Sequence, residues 1–167
     1  MTEAGFWAIL SHLAPMLEST ADERAAQLRE ALKRLPDEEI AAFDRFFENS
    51  ISAFYRPDIL EAAARLRGSP HDQESFFTLA CGVISLGREH HHRILSCPAD
   101  IASLTSAELG GMAEVWKIYY VASDHLAEVA DVFEDDEAVI LPPLIQRPRL
   151  EGLLPAPAAS LAKPSYP

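Results

Sequence analysis

Five polar side chains stand where they could act together on a ligand: Asp44, Arg45, Arg88, Glu89 and His92. Asp44 and Arg45 lie in the run AFDRFF, and Arg88 and Glu89 in the run ISLGRE, each directly beside apolar residues at helical spacing. A carboxylate and a guanidinium so placed either form a bidentate ion pair between facing helices or bind a small polar ligand. The spacing predicts that Asp44 and Arg88 pair across two helices, with Glu89 and His92 nearer to solvent, because an unpaired charge beside an apolar stripe is costly. Side chains on opposite surfaces would exclude both readings, and the absence of an adjoining cavity would leave only the ion pair.

Other chemistries find less support. Glu89 and His92 share one helical face, as in half of a di-iron carboxylate site, but the second such pair and its additional carboxylates are missing, so no metal and no cofactor is implied. His90, His91 and His92 are consecutive and point about 100° apart on a helix, so they cannot converge on one ion. His91 falls on an apolar stripe and reads as a hydrogen-bonded residue at the edge of the core. No GxSxG elbow, HExxH pair or glycine-rich phosphate loop occurs. Cys81 and Cys97 form no CxxC pair and are read as reduced thiols, and Cys97 precedes Pro98 at a helix end whose dipole does not activate a thiolate.

The elements that must position these residues are helical throughout. Phe6, Ile9, Leu10, Leu13 and Leu17 mark a first amphipathic helix ended near Pro15. Thr20 with Glu23 forms a capping box before a second helix with Ala25, Leu28, Leu32 and Leu35 facing inward. Asp37, Glu38 and Glu39 open a third, whose stripe of Ile40, Phe43, Phe47, Ile51 and Phe54 is the most aromatic in the chain and should hold its core. Arg56-Pro57 breaks that helix, and a short one follows as far as Gly68. Asp72 caps a long helix ending before Cys97-Pro98, and Thr105 with Glu108 caps a final long one, whose inward face carries Leu109, Met112, Trp116, Tyr119, Leu126, Ala130 and Phe133. The architecture expected is all-α: a single compact bundle of about five to six helices over residues 1–134, then an acidic and proline-rich tail over 135–167. Seven of the 12 prolines fall in that tail, and residues 138–167 are expected to be largely disordered and dispensable for folding.

Phe6-Trp7, the run LPDEEIAAFDRFF from Leu35 to Phe47, Tyr55, Asp58, Ala62-Ala63 and the run VISLGRE from Val83 to Glu89 together resemble the bacterial family catalogued as domain of unknown function 4240. The likeness runs from about Phe6 to Ala130. It departs from the family pattern where tryptophans usually follow the tyrosine and precede the ISxGR element; here those stretches read YRPDILEAAARL and FFTLACGVISLGR. The resemblance implies a helical, cytoplasmic protein and brings no established activity or catalytic residues.

Charge narrows the partners. The 167-residue chain carries a formal net charge of -12 with 49% hydrophobic and 24% charged residues, so it should fold, but its field repels phosphate backbones and anionic lipid. Neither nucleic acid nor membrane is expected as a partner; a basic protein is compatible. The N-terminal stretch has no basic region, and no run approaches about 18 apolar residues, which makes the cytoplasm the expected compartment. The leading functional reading is a non-catalytic interaction or ligand-binding module. The alternatives are a small enzyme or metal-binding protein with a cleft around Asp44, Arg88, Glu89 and His92, and a toxin-neutralising partner whose acidity complements a basic target.

Overall fold

The computed structural model describes residues 1–132 other than 14, 16, 17 and 70, and of residues 129–132 the backbone alone. Among the described residues there are eight α-helices, one 3-10 turn and no strand. The tail expected over 135–167, its disorder, and Phe133 lie outside the described residues.

Local signals account for the helix boundaries. Helix α1 (Glu3–Ser11) begins at Thr2, whose hydroxyl accepts from the Gly5 amide at 3.1 Å. Helix α2 (Ala21–Leu32) has the full Thr20/Glu23 capping box. Helix α3 (Asp37–Ser52) starts after Pro36 with three carboxylates in its first turn, where they complement the exposed amides. Helix α4 (Pro57–Arg67) has proline at its first position and ends at Gly68, whose φ of 74° is left-handed and suits glycine. Helix α5 (Gln73–Ser85) is capped by Asp72, which accepts from the Ser75 amide at 2.7 Å. Helix α6 (Arg88–Ser96) leads into the 3-10 turn at Pro98–Ser103, then α7 (Ser106–Gly111) with its Thr105/Glu108 box, and α8 (Trp116–Val132).

Helix α3 packs against α1, α5 and α8, while α2 lies along α8 and α4 lies on the 3-10 turn. Phe43 and Phe47 are buried as the periodicity predicts, and Phe6 inserts between them from α1 with ring centroids 5.1 and 6.0 Å away. Removing each such side chain from water contributes about 1.5–3 kcal/mol. Tyr119 of α8 completes this centre edge-on to Phe47 at 5.8 Å.

The helix count exceeds the expected number because two long segments are each broken. The helix predicted from Asp72 to Cys97 stops at Ser85 and restarts at Arg88, across Gly87 with φ of 102°. The final helix predicted from Thr105 is two, α7 and α8, separated at Met112–Val115, where Glu114 takes φ of 58°. Periodicity hides such breaks, because the helices on either side bury faces against the same core. A second correction follows at Trp116: it was placed on the inward face of the last helix, yet it is 38% exposed.

Candidate functional site

Arg88 does not pair with Asp44. As the first residue of α6, directly after the Gly87 turn, it is directed to α1, where its Nη2 lies 3.5 Å from Glu3 Oε1. His92, one helical turn on, brings Nε2 to the same oxygen at 3.5 Å, and the Trp7 indole N–H donates to it at 3.1 Å. The structure thus unites two of the five sequence-predicted residues on Glu3, which the sequence reading missed because a carboxylate in a first turn already suits the helix dipole. Arg88, His92 and Glu3 are all about half exposed, so the Arg88–Glu3 ion pair contributes at most about 1 kcal/mol. Glu3 thus accepts one hydrogen bond, from Trp7, and stands 3.5 Å from both Arg88 and His92, and the arrangement works as a tie between α1 and α6. Glu89 and Arg45 are exposed, and neither forms an ion pair among the described residues.

Beneath the tie, His91 is buried, with Nε2 3.3 Å from the Ser50 carbonyl and its ring against Trp7 and Phe54. Burial lowers its pKa from the usual imidazole range, the Ser50 carbonyl opposing in part. This is the core-edge role expected of it.

Asp44 lies partly buried on α3, one turn before Glu48. Burial first, and then the like charge of Glu48, raise its carboxyl pKa to about 6, with Arg45 offsetting a little. Glu48 is itself buried and accepts the Tyr119 hydroxyl. The polar edge of α3 therefore carries two neighbouring carboxylates, of which Glu48 meets α8, and Arg88 is not paired with them.

The guanidinium inside the fold is Arg24, only 3% exposed, which nothing in the sequence distinguishes from a surface arginine of α2. Its Nη2 donates to the Ser85 carbonyl at 3.1 Å, capping the end of α5 where carbonyls lack helical partners. Burial lowers its pKa to about 10, so it remains charged at neutral pH. Nε, Nη1 and the Ser85 hydroxyl have no partner among the described residues. The ISLGR element is accordingly a helix-to-helix turn: Ser85 receives Arg24, Gly87 supplies the reversal, and Arg88 reaches Glu3.

Two grooves differ in chemistry. One of about 680 Å³ runs between α4 and the 3-10 turn, lined by Asp58, Glu61, Ala62, Arg65, Pro98 and Ala102 among others. Its charges are engaged locally, Arg65 with Glu61 and Asp58 with Arg56. The other, of about 340 Å³, lies between α5 and the start of α8 and is lined by Gln73, Glu74, Phe77, Thr78, Trp116 and Tyr120. Trp116 stands edge-on to Tyr120 at 6.0 Å, and Tyr120 edge-on to Tyr119 at 4.8 Å, so aromatic faces line a trough with amide, hydroxyl and carboxylate groups at its rim. This is the composition of a recognition surface: apolar area with few convergent polar groups.

Among the described residues no cluster of three or more His, Cys, Asp or Glu side chains is placed to hold a metal ion, and no helix is long and apolar enough to cross a membrane. Cys81 is buried and Cys97 exposed. No curated protein and no solved structure matches the chain. A family model does match, over residues 1–135, and its description is a protein of unknown function, DUF4240. The all-helical fold, the AFDR helix and the ISLGR turn all lie within that match, and the chain belongs to the DUF4240 family.

Proposed function

We propose that this chain is a non-catalytic binding module that takes an extended, proline-bearing peptide segment along the groove between α5 and α8. The observation that carries this reading is the exposure of Trp116, 38%, beside Tyr120 and Phe77 in a trough rimmed by Glu74. Proline rings stack on aromatic faces, and a polyproline II segment loses little conformational freedom on docking because it is extended beforehand. Glu74 forms no ion pair among the described residues and adds preference for a basic residue in the segment, in keeping with the net charge of -12.

The five polar residues weigh against the enzyme alternative. Arg88 and His92 meet Glu3, Asp44 lies one turn from Glu48 and forms no ion pair among the described residues, and Arg45 and Glu89 are exposed. A nuclear magnetic resonance titration tests the proposal: a synthetic peptide bearing two prolines and an arginine should shift the Trp116 indole resonance saturably. A proline-free peptide of equal charge should not. Absence of any saturable shift at Trp116, or equal shifts from both peptides, would overturn the reading.

A further inference from the structure

Building on that reading, we infer that the occupant of the α5–α8 groove is the chain's own segment Leu141–Leu150, with sequence LPPLIQRPRL, docked back on the module that precedes it. The segment has the three properties that the groove selects. It has prolines at 142, 143 and 148 to lie on Trp116 and Tyr120, leucine and isoleucine to cover the Phe77 side, and Arg147 and Arg149 to meet Glu74. These two arginines and Lys163 are the lysine and arginine residues that follow Lys117 in the chain, so the one arginine-bearing stretch of the C-terminal region coincides with its densest proline run.

Reach permits the contact. Helix α8 is described as far as Val132, and Tyr120 and Trp116 lie 12 and 16 residues earlier on it, about 18 and 24 Å back along its axis. The ten steps from Val132 to Pro142 span up to about 33 Å when extended, enough to double back along α8 and lay the prolines beside either ring. A tethered ligand also meets its site at a high effective concentration, so modest contacts suffice.

The sequence provides a single-site assay. Trypsin cuts after Lys and Arg except before proline; Arg147 precedes Pro148 and Lys163 precedes Pro164, which leaves Arg149–Leu150 as the one cleavable bond beyond residue 132. In the full chain, release of the fragment beginning at Leu150 should be at least about tenfold slower than in Trp116→Ala, since a docked segment cannot enter a protease cleft. Glu74→Lys, at an exposed position, should speed cleavage severalfold, and the proline-arginine peptide added in excess should do the same to the parent chain. Equal cleavage of the parent and both variants overturns the inference; if the peptide still shifts Trp116, the groove reading survives, and if it does not, both fail. Protection that disappears on dilution assigns the groove to the segment of a second copy and overturns the intramolecular assignment.

Discussion

The two tryptophans of the described fold are placed in opposite ways. Trp7 is 7% exposed, edge-on to Phe6 at 4.8 Å, against His91 at 5.1 Å, with its N–H given to Glu3. Trp116 is 38% exposed, touches Tyr120, and its N–H has no hydrogen bond among the described residues. Both stand on apolar helical stripes. The difference is what lies across from each: α6 brings the rings of His91 and His92 against Trp7, whereas Trp116 faces a groove that α5 lines with Phe77 and Thr78 without filling. A large aromatic residue with one side wet and an unused donor is the usual composition of a contact surface.

The sharpest way to break this comparison is to truncate the closed region. Trp7→Ala and Phe47→Ala should each cost about 3–5 kcal/mol in urea or thermal unfolding, as other buried aromatic truncations do. A loss below about 1 kcal/mol at either site would mean that the α1–α3 face is not the core.

The frame beneath the open groove should prove nearly as unforgiving. A Cβ on Gly82 would lie 2.3 Å from Met112 Cγ and 2.5 Å from its Sδ, because α5 passes closely under the turn before α8. Gly82→Ala should therefore cost about 1–3 kcal/mol, less than the core truncations because the methionine can swing aside. A neutral outcome in chemical denaturation would show that this joint is loose.

At the carboxylate edge between the two regions, substitution should have the opposite sign. Asp44 has a pKa near 6, above its unfolded value, so the folded protein holds the proton more tightly and stability falls as pH rises from about 4 to 6. Asp44→Asn removes the charge and should gain about 1 kcal/mol at pH 7, allowing for the solvent that still reaches the group. It should also flatten the stability profile across that window. His91 contributes the contrary slope: its depressed pKa makes stability fall as pH drops below the unfolded imidazole value. A loss of stability in Asp44→Asn at pH 7 would show that its carboxylate has a stabilising partner.

The smallest effect on folding belongs to the open region. Trp116→Ala should cost about 1 kcal/mol or less, below the buried truncations because 38% of the residue already meets water, while abolishing the peptide-induced shift proposed for the groove. Calorimetry beside the titration separates the two readouts, and a loss of several kcal/mol would place Trp116 in the core after all.

Much of this protein follows from short-range chemistry. The capping boxes at Thr20 and Thr105, the break at Arg56-Pro57, the reversal at Gly68 and the Phe43/Phe47 stripe are each determined by residues within a turn or two, because hydrogen-bond capping, proline sterics and helical periodicity are local. What only the tertiary structure decided is which polar group meets which. Arg88 turns to Glu3 instead of Asp44 because Gly87 separates α5 from α6, and the residues now in contact are 85 positions apart. Arg24 caps α5 from 61 positions away, and Trp116 keeps a wet face because α5 lines one side of its groove without closing over it. Periodicity tells which side of a helix is apolar; it contains no record of how far the neighbouring helices extend, and that distance separates a core residue from a binding surface.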